Sequence, residues 1–510
     1  MAERRSSIRH AVTLMMVSAA SMALEIVAGR ALAPYVGMSL YSWTIIIAVV
    51  LAGLSLGHWI GGIIADRSKR PSRMVALSLS GAGATSLFSL ALLQNSEPFL
   101  AGIDPISHVA ALAVVAFFLP SMLAGVVSPI LTRLAQEESD RARHGRVLGA
   151  MFALGAFGAI LGTLIAGLVL ISWIGTSGSV VLIAAIYFAL VLLYVRGRGR
   201  ALPVLCIAAM TAAATVLPRE IGLSSPCLSE SAYFCIRVDA SPLLGRDARM
   251  MALDHLAHGV NDASDPRLLL SPYIHGVDEL IAARSSDNAM SAYFIGGGAY
   301  TLPRAWQARF PEGRHMIAEI DPAVTRVATD HMWFQQSSRT QIRHGDARRI
   351  LQELPQDRRF DVIFGDAFHD ISVPAHLVTD AFHAEIHRRL KPGGTYALNI
   401  VDALREPRFM LSLAQTLQRR FSHVELWLDI EAVQPFESRT TWIVLASDRA
   451  SAFDRLEASY GYGRTWVQVP LDQMIEAVGA DELVFLTDDF APVDRLLSPV
   501  LLNAEMAGSH

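Results

Sequence analysis

Long apolar runs fill the chain up to about residue 218 and then stop. A bilayer crossing takes about 20 mostly apolar residues in a helix, because backbone N–H and C=O groups must satisfy one another in lipid. Stretches of this kind fall at 10–33, 43–65, 74–94, 108–132, 147–172, 177–195 and 201–217, the last short and rich in Ala and Thr. Overall the chain is 52% hydrophobic and only 18% charged, against about 25% charged residues in ordinary soluble domains. The pattern predicts a transmembrane domain of about seven helices over 1–218, with a boundary near Pro218 to Ser225. The first run is too long for a signal-peptide core and others follow it, so it is expected to stay as a helix. The formal net charge of −4 argues against nucleic acid as a partner, since duplex binding needs a concentrated basic surface.

Basic residues in short loops mark the cytoplasmic side of a membrane protein. Arg4, Arg5 and Arg9 precede the first run; Arg67, Lys69, Arg70 and Arg73 follow the second. Arg133, Arg141, Arg143 and Arg146 follow the fourth, and Arg196, Arg198 and Arg200 the sixth. The intervening loops near 34–42, 95–107 and 173–176 carry none. This alternation puts the N-terminus in the cytoplasm and gives six crossings, with 201–217 deciding where the rest of the chain lies. Glu25, Arg30 and His58 fall inside runs, where ions usually face protein or a water-filled cavity. Glu25 and Arg30 are read either as the polar lining of a substrate path or as a structural pair. The segment GHWIGGIIADRSKR (57–70) resembles the short loop after the second helix of major facilitator transporters.

Beyond 290 the rhythm changes. Apolar runs end at AYFIG (292–296), HMIAEID (315–321), TQIRHGD (340–346), FDVIFGDA (360–367), TYALNI (395–400), HVELWLD (423–429) and TTWIVLAS (440–447), with helical patterns between most of them. Strands alternating with helices imply a parallel, doubly wound sheet, whose ligands bind outside the carboxyl ends of the strands. Gly296, Gly297 and Gly298 close the first run, where glycines let a backbone approach a ligand. Glu319 follows 23 positions after Gly296, near the place of an acid that accepts from ribose hydroxyls. Asp346 and Asp366 end the third and fourth runs. Each acid alone reads as a helix cap. Together they would crowd like charge into one cleft and raise at least one pKa, which a cationic ligand would relieve.

The series GGG, AEID (318–321), HGDARRIL (344–351), FDVIFGDA and LKPGG (390–394) resembles the spermidine synthase family of aminopropyltransferases, and within it the branch fused to a membrane domain. SESAYFCIRV (229–238) and MALDHLAHG (251–259) are similar to that family's N-terminal strand and hairpin. TDDFAPVDRLL (487–497) is similar to a segment near the end of the fused branch. The resemblance implies a Rossmann-like domain of the class I S-adenosylmethionine-methyltransferase type over 291–500, preceded by a small β subdomain over 225–290. It implies that Gly296, Gly297, Gly298, Glu319, Asp321, Asp346, Ala347 and Tyr273 line the nucleotide, with Glu319 on the ribose and Asp346 on the adenine. It implies that Asp366 takes the proton from an attacking amine. Decarboxylated S-adenosylmethionine or S-adenosylmethionine would enter as co-substrate, with no permanently bound cofactor and no metal. The partners expected are a polyamine-like amine acceptor and the lipid bilayer, and a homodimer is one assembly to expect.

The sequence departs from the family on the acceptor side. Ala299 and Tyr300 stand where the family has an acid after the glycines, and Asp366 and Asp370 are four apart with His369 between them. His369 and Asp370 are acceptor-side candidates or solvated loop residues. Phe234 and His258 replace two expected glutamines, and Ile274 and His275 break the pattern after Tyr273. A methyltransferase on the same scaffold is therefore one alternative, and a nucleotide-binding transporter or sensor without catalysis is another. Cys227 and Cys235 are either a disulfide in an oxidising compartment or two unrelated thiols. Seven crossings favour an extracytoplasmic C-terminal half, whereas adenosyl sulfonium compounds are made in the cytoplasm.

Overall fold

A computed structural model describes residues 2–100, 105–195, 225–241, 247–285, 288–368, 372–431 and 439–502. The chain divides into two compact units, Met1–Cys235 and Ile236–His510. The division falls later than the change in composition because the segment leading to Cys235 is pinned to the helices of the first unit. Arg30 donates to the carbonyls of Tyr233 and Ser231 at 2.7 and 3.2 Å. Glu230 Oε2 accepts from the Thr176 N–H at 2.7 Å. A disulfide joins Cys227 to Cys235 with Cα atoms 5.3 Å apart.

Among the described residues, five helical stretches of the first unit are long and apolar enough to cross a bilayer: Ser7–Val36, Leu40–Arg67, Pro71–Asn95, Ile106–Glu137 and Arg141–Val191. The last has 51 residues, roughly 77 Å if straight, more than twice the thickness of a bilayer core. It is two helices: Gly175, at φ 72° and ψ 179°, breaks it within Ile171–Val191. Six of the seven expected segments are thus helical, and the seventh, 201–217, lies outside the described residues. Trp59, Phe152, Phe157, Leu168 and Trp173 are exposed on these helices, as side chains facing lipid would be.

Glycines set how closely these helices pack. A Cβ on Gly57 or Gly61 would sit 2.1 or 2.4 Å from the carbonyl oxygens of Met122 and Val126. Gly158 and Gly162 press likewise on the carbonyls of Met15 and Ala19, at 2.1 and 2.0 Å. Small residues four apart are the packing device of lipid-embedded helices. Gly57 to Arg67 therefore belong to the helix Leu40–Arg67, with Gly57 and Gly61 on its packing face, and only 68–70 form the short link that the whole segment 57–70 was expected to be. Gly162→Leu is expected to prevent bundle assembly, whereas Gly62→Leu, which meets nothing within 4 Å, should be tolerated. Size-exclusion profiles in detergent would check this: a monodisperse Gly162→Leu protein melting like wild type would refute the packing role.

In the second unit, β2 (Cys235–Ala240), β3 (Ala248–Leu253) and β4 (Leu256–Asp262) form an antiparallel meander. The main sheet follows with β5 (Ser291–Ile295), β6 (Arg314–Glu319), β7 (Thr340–His344), β8 (Phe360–Gly365), β9 (Leu390–Ala403), β10 (His423–Asp429), β11 (Arg439–Ser447), β12 (Arg455–Glu457) and β13 (Thr465–Val469). β1 (Ser229–Glu230) belongs to the disulfide-closed segment of the first unit. The order across the main sheet is β12-β13-β10-β11-β9-β8-β5-β6-β7. β5 is buried along its whole length, as a parallel strand covered on both faces must be. β5 to β9 run parallel, but β11 runs antiparallel to both β9 and β10, which the expectation of a wholly parallel sheet did not include. The nine residues between Asp429 and Arg439 are too few for the crossover of about a dozen that a parallel pair requires.

The sheet's switch point positions the site. From β5 the chain moves outward through β6 and β7, then returns to place β8 on the other side of β5. The crevice at such a reversal, above the carboxyl ends, is where doubly wound sheets bind ligands.

Candidate active site

Backbone register brings the ends of four adjacent strands to one edge. Gly296 N–H donates to the Ala318 carbonyl at 2.9 Å, Gly345 N–H to that of Glu319 at 2.9 Å, and Asp366 N–H to that of Ile295 at 3.0 Å. The residues that follow the strands therefore lie in the order Asp346, Glu319, Gly296–Gly298, Asp366. Strands are spaced by about 4.8 Å, so the row spans roughly 14 Å.

The glycine turn is forced by its neighbours. Gly296 has φ 94°, and a Cβ there would meet the Asp366 carbonyl oxygen at 2.7 Å. Gly298 has φ 51°, and a Cβ on Gly297 would strike the Tyr300 ring at 2.5 Å. Tyr300 itself has φ 55° and packs on Phe334, with ring centroids 4.4 Å apart. Ala299 is buried, and its carbonyl accepts from Asn261 at 3.1 Å.

Glu319 is 5% exposed. Its Oε2 accepts from the Gly297 N–H at 2.7 Å and its Oε1 from the Asp321 N–H at 2.9 Å. A carboxylate has about four acceptor positions, so acceptor capacity remains for a ligand hydroxyl. Burial raises its pKa, partly offset by these N–H donors. Asp321 caps the helix Pro322–His331 through the Ala323 N–H at 2.9 Å. Asp346 caps Ala347–Glu353 through the Arg349 N–H at 2.8 Å, and its other oxygen lies 2.6 Å from His376 Nε2. Ala347 is buried, and its carbonyl accepts from the Tyr293 hydroxyl. Asp346 thus has the capping duty that the acid alone suggested, and Asp321 has one that the sequence reading did not include.

Asp366 is held from two sides. Asn399 donates to Oδ1 at 2.8 Å, and the Tyr273 hydroxyl donates to Oδ2 at 3.2 Å. Burial drives its pKa up to about 6, against the pull of these two donors. Burial, then the Asp366 charge, pushes the Tyr273 hydroxyl far above its ordinary value, so it remains a donor. The raised carboxyl pKa values at Glu319 and Asp366 come first from desolvation, not from mutual repulsion as the sequence suggested. His369 and Asp370 lie outside the described residues.

A cavity of about 440 Å³ opens beside Asp366, with Tyr273 and Asn399 in its wall. Phe368 and Trp466 supply aromatic surface, and His255, His258, Asp429 and Arg439 supply polar groups. Burial holds both histidines down to about 4, so they are neutral at pH 7. Asp429 accepts from Arg464 at 2.8 Å. Sequence reasoning missed Asn399, Trp466 and Arg439. The asparagine in the apolar run TYALNI was the available signal for the first, since a polar side chain in a buried strand needs a partner.

No family model matches the sequence. The chain is 34% identical over 106 residues to a polyamine aminopropyltransferase of Vibrio vulnificus, covering 21% of this chain and 36% of the relative. It is 25% identical over 330 residues to a polyamine aminopropyltransferase of Corynebacterium efficiens, covering 60% of this chain and 62% of the relative. A probable polyamine aminopropyl transferase of Bifidobacterium longum is 29% identical over 121 residues, covering 24% of this chain and 26% of the relative. Each match spans less than two thirds of the relative's own length. Among solved structures, a probable spermidine synthase from Corynebacterium glutamicum aligns over 51% of this chain and 95% of its own, at 21% identity and a TM-score of 0.43. Spermidine synthase from Thermotoga maritima aligns over 43% and 72%, at 19% identity and a TM-score of 0.35.

Proposed function

We propose that the chain is a member of the spermidine synthase family, a reading supported by its likeness to polyamine aminopropyltransferases, and that it is a membrane-bound aminopropyltransferase. It moves an aminopropyl group from decarboxylated S-adenosylmethionine to an amine. The observation that carries this reading is the order of groups along the strand ends. Asp346, Glu319, the glycine turn and Asp366 follow one another as adenine, ribose and sulfonium do in an adenosyl donor. The five long apolar helices support attachment to a bilayer.

The chemistry needs little more than alignment and a base. A neutral amine nitrogen attacks the methylene carbon beside the sulfonium. The new C–N bond forms as the C–S bond breaks, and the electron pair returns to sulfur. The leaving group is neutral methylthioadenosine, and the Asp366 carboxylate takes the N–H proton. Tyr273 and Asn399 aim that carboxylate, and the adjoining cavity admits the acceptor.

A second reading has one specific support. Ala299 stands where the family's acid would hold the donor's ammonium, so methyl transfer from S-adenosylmethionine is the competitor. Incubating the purified protein with each donor and a panel of amines, then identifying the nucleoside product by mass spectrometry, separates the two. Methylthioadenosine is expected; S-adenosylhomocysteine would establish the methyltransferase instead.

A further inference from the structure

The two ends of the helical unit are chemically distinct. At the basic end, Arg9 donates to the Leu193 carbonyl at 3.4 Å, and its guanidinium lies 5.1 Å from the centre of the Tyr194 ring. Tyr194 also meets His10 Nδ1 at 3.1 Å and donates to Thr13 at 3.1 Å, while His10 Nε2 lies 3.4 Å from Glu138. These contacts gather the start of the first helix and the ends of Leu119–Glu137 and Ile171–Val191. They adjoin the segments that carry Arg4, Arg5, Arg133, Arg141, Arg143 and Arg146, which the loop charges place in the cytoplasm.

The disulfide-closed segment docks at the opposite end. Its Tyr233 and Ser231 carbonyls bind Arg30, and its Glu230 binds the Thr176 N–H just after the Gly175 break. Arg30, Pro34, Leu90, Gln94 and Thr176 line a crevice there with Cys227 and Glu230. Those residues adjoin the loops that carry no lysine or arginine. Arg9 and Arg30 are 21 residues apart on one helix, roughly 32 Å, about the thickness of a bilayer core.

We infer that the chain passes to the extracytoplasmic face between Val195 and Ser225, and that everything from Ser225 onward, the α/β unit included, stands outside the cytoplasm. Val195 leaves from the basic end, and Ser225 already lines the crevice at the other. Six described crossings plus this passage make an odd number. The Cys227–Cys235 disulfide belongs to an oxidising compartment and agrees independently. The inference holds whichever reaction the unit performs.

The test uses the full chain in a bacterial host. Green fluorescent protein fused at the N-terminus should fluoresce, since it folds in the cytoplasm. Alkaline phosphatase fused after His510 should be active, since it needs export, and green fluorescent protein at that position should be dark. Protease added to intact spheroplasts should degrade the α/β unit and spare the N-terminal fusion. A fluorescent C-terminal fusion, or an α/β unit that protease reaches only after lysis, overturns the inference.

Discussion

Replacing Asp366 with asparagine is expected to cut turnover by roughly 10²- to 10⁴-fold, the usual worth of a positioned general base, while donor affinity changes only a few-fold. Wild-type kcat should fall as pH drops through about 6, where the carboxylate takes up a proton, and stay level above it. The variant should lack that inflection. Stability should move the other way. The folded-state pKa of about 6 lies above the ordinary 3.8, so the proton binds the folded chain more tightly. Charging the group then costs folding stability as pH rises from about 4 to about 6, and the cost persists above that. Asp366→Asn should therefore melt higher than wild type at pH 7.5, with the difference vanishing near pH 4. A variant that retains full turnover, or melts lower at pH 7.5, contradicts the role given to this carboxyl.

Glu319→Ala should weaken donor binding by more than about 30-fold. Two effects combine. The ribose loses a carboxyl acceptor, and the Gly297 and Asp321 N–H groups lose theirs, at roughly 1–3 kcal/mol for each buried group left unmade. The second effect also loosens the turn, so affinity alone would not isolate the ribose contact. A cycle with a 2′-deoxyadenosyl donor does. Wild type should discriminate against the deoxy compound, and the variant should bind both alike. Equal discrimination by the two proteins in calorimetry would remove Glu319 from the ribose.

Much of the fold was legible because burial on both faces leaves a strong trace. The seven apolar runs past residue 290 became β5 to β11, for buried strands tolerate little but apolar side chains. Direction was less legible, since it depends on the length of a connection: nine residues turned β11 against its neighbours. β12, at the sheet edge, and β13 beside it were missed because such short strands carry weak patterns. In the site, the acids at strand ends could be read because their spacing follows the strands. Their second duties could not. That Asp346 meets His376, 30 positions away, or that Asn399 meets Asp366, 33 positions away, depends on tertiary approach. The disulfide was equally open in the sequence, because a separation of eight residues does not fix the distance between two Cα atoms.

Glu319 is already tied at both oxygens, to the glycine turn beside it and to the loop that follows its own strand. The nucleotide crevice proposed above has little left to arrange around this carboxylate when a ligand arrives. Most of the ordering was done when the chain folded, so the entropy lost on association should be that of the small molecule and not of the protein. Amide hydrogens of Gly297 and Asp321 should then exchange slowly in the ligand-free protein. A newly bound adenosyl compound would find these two amides and their carboxylate already set, and selectivity at that point would come from fit.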